Sequence, residues 1–348
     1  MDKRLPQTET PIFRSRSVFL VGGLQAVSEE RSTMQHQGKF TATDGALIRG
    51  QEHWADKGGI KLFLWEKRRA PGTDYQGTIL FIHGSSWASQ PTFDLHVPGR
   101  PFSSVMDWFA VRGFDCWCLD NEGYGRSDKH RDSNFGIETG ADDIVAATDY
   151  ILKLREIPSV MLYGVSAGAL KSALFTKRYP QRVSRLALDA FVWTGKDSPT
   201  LAERRKTVPE LLKHKRRPFT RAVIQSVFDR DLPGAAEPDM IEAFAQASMA
   251  LDETVPTGTY LDMCTKLPMV DPSDISVPTI MMRGQYDGIA GINDLYEFFA
   301  RLPNPDKHFA LMPGVAHASF QQTNYLLVYH TLYSFFSQPP AVFVGPAV

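Results

Sequence analysis

Around position 166 the chain reads Leu162-Tyr163-Gly164-Val165-Ser166-Ala167-Gly168-Ala169, a serine between two glycines that follows an apolar run of strand length and opens a helical pattern. A turn this tight has no room for side chains at its flanks, so the glycines let strand and helix approach while the serine hydroxyl is thrust outward. The helix start offers free N–H groups and the positive end of its dipole to an oxyanion forming beside the serine. The chemistry so equipped is attack of Ser166 Oγ on an acyl carbon. A serine hydroxyl is a poor nucleophile at neutral pH, so a base, and a group that orients the base, must come from elsewhere. A Gly-x-Ser-x-Gly match by itself is weak, because a serine capping an ordinary strand-to-helix turn produces the same letters.

Two downstream loops supply partners in the order acid, then histidine. Arg283-Gly284-Gln285-Tyr286-Asp287-Gly288 follows one strand-length run, and Pro313-Gly314-Val315-Ala316-His317-Ala318 follows the next. His317 would take the Ser166 proton and return it to the leaving group, while Asp287 would fix the tautomer and stabilise the imidazolium. A turn aspartate and a loop histidine are the bland alternatives, and Asp189, ending an earlier strand run, is a rival acid. Upstream, Phe81-Ile82-His83-Gly84-Ser85-Ser86-Trp87 closes a buried strand with a small-residue turn whose backbone can face the nucleophile. The expected oxyanion hole is the pair of amides of Ser85 and Ala167, donors fixed in advance of the reaction. His83 is read as stabilising the turn rather than as the base. Ser86, Trp87, Trp193 and Tyr260 are candidates for lining the substrate pocket, and the aromatic ones serve equally well as core. The loop Asp120-Asn121-Glu122-Gly123-Tyr124-Gly125-Arg126-Ser127 lacks the third glycine and the lysine of nucleotide motifs and reads as structural.

These loops need strands to hold them. Ala46 to Arg49 and Gly59 to Trp65 look like strands joined through Lys57-Gly58-Gly59. Strand-length apolar runs then cover Thr78 to His83, Phe114 to Leu119, Val160 to Tyr163, Val183 to Leu188, Thr279 to Met282 and Lys307 to Met312. Helical patterns at Ser103 to Val111, Gly140 to Leu154 and Ala167 to Arg178 separate them, as a parallel sheet covered on both faces requires. The fold class is therefore α/β. The regularity fails from Trp193 to Leu267, where helical segments such as Ala222 to Phe228 and Met240 to Leu251 alternate with proline-bearing loops. The expected organisation is an N-terminal extension (1–45), a core (46–192 and 268–340) and a helical cap or lid (193–267) over the carboxyl edge of the sheet.

At 348 residues, 43% hydrophobic and 22% charged, the chain can bury a sizeable core and is globular in composition. A formal net charge of -1 creates no field to gather nucleic acid or an anionic membrane surface, so neither is expected as a partner. The basic runs Glu203-Arg204-Arg205-Lys206 and Lys213-His214-Lys215-Arg216-Arg217 could attract an acidic substrate, with a solvated helix face as the plainer reading. Cys116, Cys118 and Cys264 are too few for a disulfide framework and lack neighbouring ligands, so reduced thiols and no metal are expected. No apolar run reaches the roughly 18 residues of a membrane span. Val18 to Leu24 has some signal-peptide character, but its length and glycines favour a cytoplasmic protein over an exported one. The residues do not choose between a monomer and a homodimer.

Through His83-Gly84, the Asp120 to Ser127 loop, Gly164 to Gly168, Asp287 and His317, the sequence from roughly Gly77 to Gln338 resembles the α/β-hydrolase superfamily. The resemblance implies a mostly parallel eight-stranded sheet, helices on both faces, a helical cap inserted after strand six, and catalytic roles for Ser166, Asp287 and His317. It also implies a serine esterase-like enzyme without a cofactor, acting on a small acyl substrate. Phe19-Leu20-Val21-Gly22-Gly23 further resembles a segment near the start of some bacterial esterases whose acid follows strand six, which keeps Asp189 in play. Serine at the turn argues against haloalkane dehalogenases and epoxide hydrolases, which place aspartate there. Hydrolysis of a small carboxylic ester through an acyl-enzyme leads. Cleavage of an amide, lactone, thioester or C–C bond, a lyase or acyltransferase, and a non-catalytic binding relative remain open.

Overall fold

The computed structural model describes residues 38–41, 47–69 and 74–342. The apolar stretch at Val18 to Leu24 and Ala46 lie outside the described residues. In chain order the first strands are β1 (Gly38–Thr41), β2 (Leu47–Asp56), β3 (Lys61–Arg69) and β4 (Gly77–Ile82). There follow α1 (Ser89–Phe93), α2 (Val105–Ala110), β5 (Phe114–Leu119), α3 (Ile137–Arg155), β6 (Val160–Val165), α4 (Ala167–Arg178) and β7 (Val183–Asp189). The stretch that breaks the alternation holds α5 (Pro199–Lys206), α6 (Val208–Leu211), β8 (Arg216–Pro218), α7 (Arg221–Asp229), α8 (Pro238–Met249), β9 (Thr254–Pro256) and α9 (Gly258–Thr265). The chain ends on β10 (Thr279–Gly284), α10 (Ile292–Arg301), β11 (Lys307–Met312) and α11 (Tyr325–Ser337).

One sheet runs in the order β1-β2-β3-β5-β4-β6-β7-β10-β11. The pairs from β1 to β5 are antiparallel, and all those from β5 to β11 are parallel. This is the mostly parallel sheet expected, with β1 as a further antiparallel strand inside the stretch read as an extension. Side chains alternate between its faces: Leu80 and Ile82 of β4 join the core beneath α3, α4 and α10, while Ile79 and Phe81 join the one beneath α2 and α11. Both faces are thus covered by helices, which explains the uninterrupted apolar runs of the central strands.

Register places the functional loops. Ile82 pairs with Gly164, Val165 with Asp189, Met282 with Asp189, and Gly284 with Met312. The segments after β4, β6, β7, β10 and β11 therefore leave the sheet at one edge. The segment between β7 and β10 has a small core of its own. In α7, Ile224 and Phe228 lie one turn apart, and with Met240 and Phe244 of α8 and Val255 of β9 they pack on Trp87, Leu95 and Tyr124. Among the described residues no helix is long and apolar enough to cross a membrane.

Candidate active site

At the end of β6, Ser166 has φ 57 and ψ -122, a backbone conformation that costs a non-glycine residue about 1–3 kcal/mol unless its surroundings hold it. Its N–H donates to the Asp189 carbonyl at 2.8 Å, tying the turn to the neighbouring strand. A Cβ on Gly164 would collide with the Gly168 carbonyl, and one on Gly168 with the carbonyls of Ile82 and His83. Strand, turn and helix are in backbone contact there, and only glycine fits.

His317, after β11, places Nε2 3.0 Å from Ser166 Oγ and Nδ1 3.1 Å from both carboxylate oxygens of Asp287. All three side chains are buried below a tenth exposure. Burial pushes the Asp287 carboxyl up, but the His317 imidazole and the amides of Ile289 and Ala290 outweigh it and hold the group down at about 2. Arg283 braces the loop, its guanidinium donating to the carbonyls of Gly284, Gln285, Asp287 and Ala290. Asp189 is differently placed. Its Oδ2 accepts from Tyr163 Oη at 2.7 Å and from Ser319 Oγ, and no hydrogen bond links it to His317 among the described residues. Burial pushes its carboxyl up to about 6 because those two hydroxyls do not offset the desolvation and Asp287 adds negative charge.

The loop after β4 lies on the nucleophile: a Cβ on Gly84 would be 3.4 Å from Ser166 Cβ. His83 is fully buried, its Nε2 accepting from Asn121 N at 3.0 Å and its Nδ1 donating to Gly84 O at 2.8 Å. Burial foremost, with the Lys171 ammonium, drives its pKa well below the ordinary histidine value, so the ring is neutral. Because a peptide is planar and trans, the bond to Gly84 O also aims the N–H of Ser85. The amides of Ser85 and Ala167 have no acceptor among the described residues. The Asp120 to Ser127 loop is held by Asp120, which accepts from Ser89 and Arg126.

A cavity of about 40 Å³ opens beside Ser166 and His317. Ser85, Ser86, Trp87 and Tyr260 line it. Trp193 does not: its Nε1 donates to Val270 O at 3.1 Å and its ring packs on Phe298, so it belongs to the core under α10 and not to the pocket. Arg204, Arg230, Val227, Ile289 and Gln321 also line the cavity and were not singled out individually from the sequence, where the only signal was the basic run containing Arg204. Away from the site, Asp94, His96 and Asp107 bring ligand atoms within 4.8 Å of one another, but Lys67 Nζ pairs with both aspartates at 2.7 and 2.6 Å and supplies the positive charge. Burial pushes the Cys116 and Cys118 thiols far up, away from the thiolate form that a metal needs.

The family described as "Serine aminopeptidase, S33" matches residues 76–324. A protein named monoacylglycerol lipase from Mycolicibacterium smegmatis is 22% identical over 292 residues, which cover 80% of this chain and 94% of that protein. Among solved structures, a thermophilic esterase from Thermogutta terrifontis superposes with a TM-score of 0.60 at 20% identity, covering 86% of this chain and 97% of its own. A soluble variant of monoglyceride lipase from Saccharomyces cerevisiae gives 0.59 at 18% identity, covering 82% and 94%. The overall fold is thus shared with these two solved structures, and the match over residues 76–324 makes this protein a member of the serine aminopeptidase, S33, family of α/β-hydrolases.

Proposed function

We propose that the protein hydrolyses a small carboxylic ester through an acyl-enzyme. The observation that carries this reading is the line of hydrogen bonds Asp287–His317–Ser166, at 3.1 and 3.0 Å, opening on the cavity. In the first half-reaction Ser166 Oγ bonds to the ester carbonyl carbon as its proton passes to His317 Nε2. The carbon–oxygen bond to the alcohol then breaks, and His317 returns the proton to that oxygen. Water repeats the sequence on the acyl-enzyme, releasing the carboxylic acid and Ser166. Asp287 keeps the Nδ1–H tautomer and stabilises the imidazolium, and the Ser85 and Ala167 amides receive the oxyanion. The segment 193–267 acts as the cap, since it contributes Arg204, Val227, Arg230 and Tyr260 to the cavity.

The relatives named esterase and monoacylglycerol lipase support ester cleavage. An aminopeptidase must bind a free amine beside the scissile bond, which calls for a carboxylate. The cavity lining has two arginines and, among the described residues, no aspartate or glutamate.

Release of p-nitrophenol from acetyl and butanoyl esters tests the proposal. Ser166→Ala should lower kcat by about 10³-fold or more, and Asp287→Ala by about 10²–10⁴-fold. Retention of a tenth of wild-type turnover by Ser166→Ala would overturn it.

A further inference from the structure

The cavity wall contributed by the inserted segment is cationic. Arg204 of α5 and Arg217 of β8 place their guanidinium carbons 3.6 and 4.0 Å from the ring centroid of Tyr260 on α9. Arg204 and Arg230, the residue after α7, line the cavity with Ser166 and His317. Arg230 is paired with Asp231 at 2.8 Å. Arg217 Nη2 donates to Ser85 O and Ser86 Oγ at 3.1 and 3.0 Å, and Ser86 Oγ lies 3.1 Å from Tyr260 Oη. Among the described residues, Arg204 Nη1 and Arg217 Nε are buried without any hydrogen-bond partner. Lys206 and Lys213 of the same two runs behave differently: they are exposed and pair with the exposed Glu203 and Glu210.

A guanidinium N–H removed from water and left without an acceptor is costly, so a wall in which Arg230 is paired with Asp231 while Arg204 has no ion-pair partner among the described residues, with Arg217 also against the Tyr260 ring, is short of an anion. The neighbours register the same imbalance. Burial, with Arg230 and Arg217 nearby, lowers the Arg204 pKa. Burial alone would push the Tyr260 phenol up, but Arg217 and Arg204 over its ring bring it down to about 7. A guanidinium fork matches a planar carboxylate through paired N–H bonds. The cavity of about 40 Å³ holds about three waters at roughly 10–15 Å³ each, which favours a short occupant.

On the serine-hydrolase reading above, we propose that the substrate is the ester of a short carboxylate-bearing compound, such as a dicarboxylic acid half-ester, whose free carboxylate is received by Arg204 together with Arg230. The anion then serves as a handle: it pulls the ester into a cavity whose remaining wall, Trp87, Val227 and Ile289, is apolar, and it fixes which carbonyl faces Ser166.

The test compares kcat/KM for ethyl hydrogen succinate and ethyl hydrogen glutarate with that for the uncharged ethyl butanoate and ethyl pentanoate, read as acid release at pH 7.5. Wild-type protein should prefer the charged member of each pair by about 30-fold or more. In Arg204→Gln that ratio should collapse toward one, and Arg204→Lys should keep part of it. Should Arg204→Gln fail to fold, Arg230→Gln should still reduce the ratio. A wild-type ratio of one or below, or a ratio unaltered in a folded Arg204→Gln, overturns the inference. Calorimetry on Ser166→Ala separates the two proposals. Binding of ethyl hydrogen succinate that weakens in Ser166→Ala/Arg204→Gln supports the anion site even if no ester is hydrolysed, a result that would sink the esterase reading alone.

Discussion

Asp189 and Asp287 are carboxyl groups buried beside the same histidine, and they are driven in opposite directions. Desolvation penalises both anions. Asp287 recovers through an imidazole and two amides, whereas Asp189 has two hydroxyls and feels Asp287 as a like charge. The consequence is a pH-dependent strain. The folded-state value of about 6 for Asp189 exceeds the ordinary 3.8, so its contribution to stability is complete below about pH 4 and is lost as pH rises through about 6. Relative to Asp189→Asn, wild-type protein should lose about 2 kcal/mol between pH 4 and pH 7.5. Urea unfolding of both proteins at the two pH values measures this, and an unchanged difference would refute it. From the sequence both aspartates qualified as the acid, because Asp189 ends a strand run and Asp287 lies in the loop after one; which one meets Nδ1 depends on side-chain direction, which the spacing of residues does not encode.

At the level of elements, the turn between β6 and α4 has the least tolerance. Gly168→Ala would set a methyl against two backbone carbonyls that cannot rotate away, at a cost of about 1–3 kcal/mol for the overpacking. Displacement of Ser166 by about 1 Å would add a loss near 10²-fold in kcat. Gly99→Ala is the control: its φ of 77 is strained for a side chain, but it has nothing within 4 Å, so it should lose stability without losing turnover. Equal kcat in the two variants would show that the close approach is not what positions the serine. The central strands were legible because burial on both faces makes them continuously apolar. The second strand was not: read as Ala46 to Arg49, it continues to Asp56. Its buried and exposed residues alternate, and Gln51 and Glu52 look like a loop when read without their partner strand. The edge strand β1 depends on that same pairing.

For the molecule as a whole, the cavity is small, and the segment between β7 and β10 contributes Arg204, Val227, Arg230 and Tyr260 to its wall. As the cavity stands, acetyl to butanoyl esters should give the highest kcat/KM, with a fall of about tenfold or more by decanoyl, since a longer chain must part Trp87 from Val227 and Tyr260 before it enters. A flat chain-length series would mean that the cavity wall parts readily. Local sequence alone determined the strand–turn–helix around Ser166, the apolar runs of the parallel sheet and the loops that carry Asp287 and His317, because these rest on periodicity and on glycines within a few residues of one another. Tertiary structure decided the rest. It set Trp193 in the core instead of the pocket, joined Asp287 rather than Asp189 to His317, and turned Arg204 and Arg217 inward while Lys206 and Lys213 stayed in water. Each of those outcomes depends on which distant segment packs against a side chain, and neighbours along the chain carry no record of that.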